Sequence, residues 1–171
     1  LLIGSYVDAH FEGSLDLFKA QNPEIFLKNG ELKAEFRKAN EIITKLEEDP
    51  VFMLYMSGEK QTIFTGEIGG VPFKVKIDSY HKDRMLVDGK VMASISKFEW
   101  VKDFGKVNFA EYWGYDIQAA IYQEIVRQNT GVALPFFIAA ASKEKVTDKE
   151  IIWVPTDLMN DRLIEVEENM E

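Results

Sequence analysis

The chain has 171 residues, 46% hydrophobic and 12% aromatic, enough to bury one sizeable core as a single domain over residues 1–171. It contains no cysteine, which excludes disulfides and thiolate-held zinc or iron–sulfur clusters in this segment. A net charge of −9 argues against a general nucleic-acid binder, but residues 74–106 carry eight Lys/Arg against five Asp/Glu, a basic stretch inside an acidic chain.

No apolar run reaches the length of a membrane span, and no basic region precedes an apolar one at the start. The expectation is a cytoplasmic protein without a signal peptide, with further residues upstream of Leu1, because the pattern begins mid-element. Leu2, Ile3, Tyr6, Val7 and His10 or Phe11 recur at helical spacing, predicting a first helix from Leu1 to Phe11 that carries Asp8 one turn after Gly4. Ser14 caps a short helix that Asn22-Pro23 ends. An amphipathic helix over 31–48 has Leu32, Phe36, Ala39, Ile43 and Leu46 as its apolar stripe and stops at Asp49-Pro50. A short aromatic, Met-rich helix follows over 51–56. Residues 59–68 alternate as a strand, with Glu67 on the face of Gln61, Ile63 and Thr65.

Val71 to Val91 reads as two further strands. Phe73, Val75 and Ile77 share one face, so Lys74, Lys76 and Asp78 share the other. Nine residues separate Asp78 from Asp88-Gly89-Lys90, with Asp88 and Lys90 on one face of the second strand. Two carboxylates at the ends of neighbouring strands can share a divalent cation, and a lysine beside them can orient a water or stabilise charge. The same letters have a second reading: Asp-Gly between apolar runs is also the signal for a two-residue hairpin turn.

Beyond Val91, SISKFEWVKDFGKVN reads as irregular with a helical turn. A long helix then spans 109–129 and is closed by Gly131. One stripe holds Trp113, Ile117, Ala120, Ile121 and Glu124; another holds Tyr115, Gln118, Tyr122 and Ile125, so Gln118 and Tyr122 lie one turn apart. LPFFIAAA (134–141) is a buried strand and 150–154 a last strand, before an acidic helix capped by Thr156. The order is helices, three strands, helix, two strands, helix, which fits an α/β or α+β domain with a mixed central sheet. His10 and His81 lack ligand-spaced partners and read as structural.

Three patches in this order resemble the PD-(D/E)XK nuclease superfamily. Within it the chain is similar to the RecE-type exodeoxyribonucleases of phage recombination systems, relatives of the RecB-like nucleases and lambda exonuclease. IGSYVDAHFEG looks like the family's first helix, GVPFKVKIDSY…MLVDGKV like its catalytic core, and YWGYDIQAAIYQEIV like its Gln-x-x-x-Tyr helix. The resemblance implies a restriction-endonuclease-like core: a mixed central β-sheet flanked by helices. It implies Asp78, Asp88 and the Gly89 carbonyl as ligands of Mg²⁺ or Mn²⁺, and Lys90 as the residue that orients water and stabilises charge on the phosphate. Gln118 and Tyr122 would position the site or the DNA end.

Two positions depart from the family. Asp8 stands where the family has a metal-binding His; as a hard oxygen donor it remains a candidate ligand, whereas His10 lies on the far side of the helix. Gly89 fills the middle of Asp-x-Lys, which is usually apolar. Lys74, Lys76 and Lys97 are the candidate phosphate contacts. The implied function is a magnesium-dependent exonuclease acting on duplex DNA ends, with a single-strand annealing protein as partner and a ring-like homo-oligomer as assembly. The alternatives are a catalytically weak DNA-binding module, or an endonuclease or junction resolvase of the same fold.

Overall fold

The structure, a computed structural model, describes residues 2–95 and 114–170. Lys97, Trp113 and the start of the expected 109–129 helix lie outside those residues. Helices α1 (Leu2–Glu12), α2 (Leu15–Gln21), α3 (Ala34–Glu47) and α4 (Pro50–Tyr55) come first. Strands β1 (Glu59–Ile68), β2 (Val71–His81) and β3 (Met85–Met92) follow, then α5 (Tyr115–Thr130), β4 (Phe136–Ser142), β5 (Lys149–Val154) and α6 (Thr156–Glu168).

The strands form one five-stranded sheet in the order β1-β2-β3-β4-β5. Neighbours are antiparallel except β3 and β4, which run parallel. The parallel pair needs a crossover, and α5 lies within it. One face of the sheet buries Val75, Ile77, Leu86, Phe136 and Ile138 against Ala119, Ala120, Ile125 and Val126 of α5 and Met159 of α6. The other face buries Val87, Ala139 and Ala141 against Tyr6 and Val7 of α1, Phe36, Ile42 and Leu46 of α3, and Phe52 of α4. Each fully buried side chain such as Ile42 contributes about 1.5–3 kcal/mol through water released from apolar surface. This is the mixed-sheet α+β architecture that the order of elements implies.

Some local expectations are corrected. Helix α3 starts at Ala34, not at 31, because Leu32 is held in a bridge with Phe26 and Lys33 has extended backbone. Thr156 is the first residue of α6 and makes no cap, that place being taken by Pro155; Ser14 stands at the cap of α2 without a side-chain bond. Asp49 does more than end a helix: its carboxylate accepts the Val51 and Phe52 N–H groups and starts α4. The buried face of α5 is Asp116, Ala119, Ala120, Gln123, Ile125 and Val126, and Ile117, placed in the expected apolar stripe, is 40% exposed. Gly131 closes α5 at φ 82°, a left-handed conformation that glycine adopts without a Cβ clash.

Candidate active site

The Asp88-Gly89 pair lies inside β3, not in a turn. The reversal between β2 and β3 falls at 82–84, where Asp83 takes φ 61° and Arg84 N–H donates to His81 O at 2.9 Å. Strands β2 and β3 pair only at His81↔Met85, Tyr80↔Leu86 and Ser79↔Val87, and then separate. Strand β3 continues on its other side, where Leu86 to Met92 pair with Phe136 to Ser142. The fork opened between β2 and β3 is where Asp78 and Asp88 meet.

The fork leaves backbone groups of β3 without strand partners, and a side chain takes one of them. Gly89 N–H donates to Asp78 Oδ2 at 2.9 Å. On the other flank, Gln61 Nε2 of β1 donates to Asp78 Oδ1 at 3.3 Å. Asp88 is 5% exposed, and Lys90 Nζ stands 2.9 Å from its Oδ2. That contact is an ion pair and not an aligned hydrogen bond, since Oδ2 is buried without a well-directed donor. Lys90 Nζ also lies 4.7 Å from the centre of the Tyr115 ring, whose face attracts the cation.

The electrostatics are those of a site with too much negative charge. Burial, then the neighbouring Asp78 carboxylate, pushes Asp88 well above the usual carboxylate range, and Lys90 only partly offsets this. Asp8 is pushed up to about 7 by crowding of the protein around its carboxyl, and next by Asp78. Its outer side is open to solvent, which screens part of that effect. For Lys90, burial favours loss of the proton, but Asp88, Tyr115 and Asp78 outweigh it, and the ammonium is held above its ordinary range.

Asp8 lies on α1 and shares with Asp78, Gln61, Glu12, Lys76 and Phe18 a cleft of about 380 Å³. Among the described residues, no group of three or more His, Cys, Asp or Glu side chains is gathered tightly enough to hold a metal ion. Asp8 therefore flanks the Asp78–Asp88 pair without completing a third ligand in this arrangement. His10 faces away from that cleft, its Nε2 3.1 Å from Glu47 of α3. Lys74 and Lys76 are exposed on β2, and Lys76 reaches Glu12 at 3.9 Å.

On α5, Gln118 bonds to the Tyr122 hydroxyl, which favours the ionised phenol; burial works the other way and wins, so the phenol is pushed up. Both Tyr122 and Tyr115 feel the charges of Asp88 and Lys90. Two side chains of the site escaped the sequence reading of candidate residues. Tyr115 carried a signal, standing three and seven positions before Gln118 and Tyr122 on one helix stripe. Gln61 carried none.

A crystal structure from Eubacterium rectale, of a protein named "Putative exonuclease", superposes with a TM-score of 0.93 at 58% identity, covering 99% of this chain. The present chain spans 64% of that protein's length. A second solved chain, SSO0001, is 12% identical with a TM-score of 0.41 over 99% of this chain and 71% of its own, too distant to bear on the fold. Comparison with curated proteins returns no match. A family model described as "PDDEXK-like domain of unknown function (DUF3799)" matches residues 1–171, and the chain therefore belongs to that family.

Proposed function

We propose that this chain is a metal-dependent deoxyribonuclease that hydrolyses phosphodiester bonds at the ends of duplex DNA, in the manner of the RecE-type exonucleases it resembles. The observation that carries this reading is the β2–β3 fork, which brings Asp78, Asp88 and Lys90 together on ordered backbone. The name of the Eubacterium rectale relative supports exonuclease over the endonuclease alternative.

The donor set fits a hard divalent cation. Asp88 Oδ2 is buried without an aligned donor, and burial, followed by the Asp78 charge, raises the carboxyls of Asp8 and Asp88 toward neutrality. Asp78, Asp88 and the Gly89 carbonyl would hold Mg²⁺ or Mn²⁺, with Asp8 at the cleft side. Bound there, the ion supplies Lewis-acid stabilisation of charge on the phosphoryl oxygens.

The protein's own groups do the rest. Lys90, kept protonated by Asp88 and steadied by the Tyr115 ring, presents a fixed positive charge to the negative charge that develops on the phosphate. It acts as an electrostatic stabiliser, since a lysine held above its ordinary pKa is a poor general base. Gln118 and Tyr122 offer an amide and a hydroxyl from α5 to orient the DNA end, while Lys74, Lys76 and Lys97 contact phosphates.

A second reading, a DNA-binding module of weak activity, draws on the lack of a three-ligand group among the described residues. One assay separates them: the full-length protein with end-labelled linear and closed circular duplexes, in EDTA, Mg²⁺ or Mn²⁺. The exonuclease degrades linear DNA with metal and spares circles. Lys90→Ala lowers its rate by about 100-fold or more with DNA binding retained. Binding without cutting in either metal selects the module, and cutting of circles selects an endonuclease.

A further inference from the structure

Gln61 sits in β1 at φ 55°, a left-handed conformation in the middle of an antiparallel ladder. The other non-glycine residue with positive φ among the described residues is Asp83, and it lies in a turn, where aspartate tolerates that geometry. A glutamine inside a strand has no such excuse. The β1–β2 ladder runs in register through Lys60↔Ser79 and Thr62↔Ile77 but skips the position where Gln61 faces Asp78. Strand β2 is irregular there too: Ile77 and Tyr80, three residues apart, both pack into the same core, so its alternation breaks at Asp78–Ser79.

The side chain explains the break. Gln61 Nε2 donates to Asp78 Oδ1 at 3.3 Å, while Gly89 N–H donates to Oδ2 at 2.9 Å from the opposite strand. A carboxylate repels a carbonyl oxygen, so the amide nitrogen must be the group that faces Asp78. Gln61 Oε1 then points elsewhere, buried and without a hydrogen-bond partner in the protein, as is Thr62 Oγ1 next to it. Backbone strain and an unsatisfied acceptor thus coincide at one residue, and the contact with Asp78 is what both serve. Gln61 also lines the cleft that Asp78 and Asp8 share.

We infer that Gln61 is a positioning residue for Asp78: its amide and the Gly89 N–H clamp the two carboxylate oxygens from the two neighbouring strands, and the left-handed backbone is retained for that contact. The inference rests on the nuclease reading for its consequence, but not for its geometry. Gln61→Gly removes the clamp and suits the backbone, because glycine adopts φ 55° freely. In the full-length protein it is expected to keep or raise the unfolding midpoint while kcat on linear duplex DNA falls about 10- to 100-fold and KM stays within about twofold. Gln61→Glu keeps the shape but sets a like charge against Asp78, so kcat falls at least as far. Gln61→Asn keeps an amide on a residue tolerant of left-handed backbone and restores part of the rate.

A crystal structure of Gln61→Gly supplies a readout free of activity. The Asp78 carboxylate should leave the Gly89 N–H or occupy more than one rotamer. Unchanged kcat in Gln61→Gly, or an Asp78 that stays in place, overturns the inference. A parent protein that cuts nothing overturns the nuclease reading alone, and the Asp78 rotamer then decides whether Gln61 positions it.

Discussion

Two aspartates of the described residues are buried almost completely, Asp116 at 1% exposure and Asp88 at 5%, and their surroundings differ in kind. Asp116 opens α5, where the helix N-terminus favours negative charge. Its Oδ1 accepts the Ile117 N–H at 2.9 Å, and its Oδ2 is paired with the Arg162 guanidinium of α6. Each of its oxygens has a donor. Asp88 has one ammonium partner, a second carboxylate against it, and an Oδ2 with no aligned donor. Burial of a carboxylate therefore says little by itself; the match between its charge and its partners says whether it holds a fold or waits for something to bind.

The largest expected effect lies on the balanced side of that comparison. Asp116→Ala takes from Arg162 its buried partner on α5, leaving Glu165 of α6 itself, and so removes this tie between α5 and α6. Breaking a buried pair costs about 3 kcal/mol, the lower end of the usual range, because Arg162 is partly exposed. Urea unfolding measures it, and the stabilisation of the protein by Mn²⁺ should survive. A loss below about 1 kcal/mol, or a lost metal response, would erase the distinction between the two aspartates.

The next effect has the opposite sign. Asp88 has a folded-state pKa raised above the ordinary carboxylate range, so between its unfolded and folded values the folded protein keeps a proton that the unfolded chain has released. Stability contributed by this group therefore falls as pH rises through that window and does not return above it. Asp88→Asn removes the penalty. Without metal it should raise stability at pH 8 by something on the order of 2 kcal/mol, with little gain near pH 4, while abolishing both cutting and the stabilisation by Mn²⁺. Unfolding at the two pH values in EDTA checks the sign. A variant less stable than the parent at pH 8 would mean that Asp88 is as well partnered as Asp116.

The same pair shows what a sequence can and cannot display. Asp78 and Asp88-Gly89-Lys90 were legible because strand alternation and the distance between two carboxylates are local properties. Whether Asp-Gly is a turn or a strand was not local: it is decided by β4, which pairs with Leu86 to Met92 from the far side of the crossover. Asp116 was passed over for a stripe through Ile117, since apolar residues guide such stripes and its partner Arg162 lies 46 positions away. Tyr115 stood in a visible stripe, but its role depends on Lys90 lying over its ring. Gln61 was invisible, because nothing in its neighbours along the chain announces a left-handed glutamine. The pattern of elements, the sheet and its flanking helices, was the part most open to reading, since hydrophobic period carries it.

The smallest expected effect tests whether Gly89 is a weakness of the site. A Cβ there would meet Met56 Cε at 3.4 Å and Asp78 Oδ2 at 3.7 Å, ordinary contact distances, and Gly89 is not among the glycines of positive φ. What the site uses at this position is the N–H that holds Asp78, and alanine keeps it. Glycine inside a strand costs about 0.5–1 kcal/mol of chain entropy relative to alanine, so Gly89→Ala should be neutral or slightly stabilising. Activity should stay within about threefold of the parent, and the response to metal should be unchanged. A severe loss of cutting in a well-folded Gly89→Ala would show that even a methyl group at 3.7 Å displaces Asp78, and that the fork tolerates nothing between its two carboxylates.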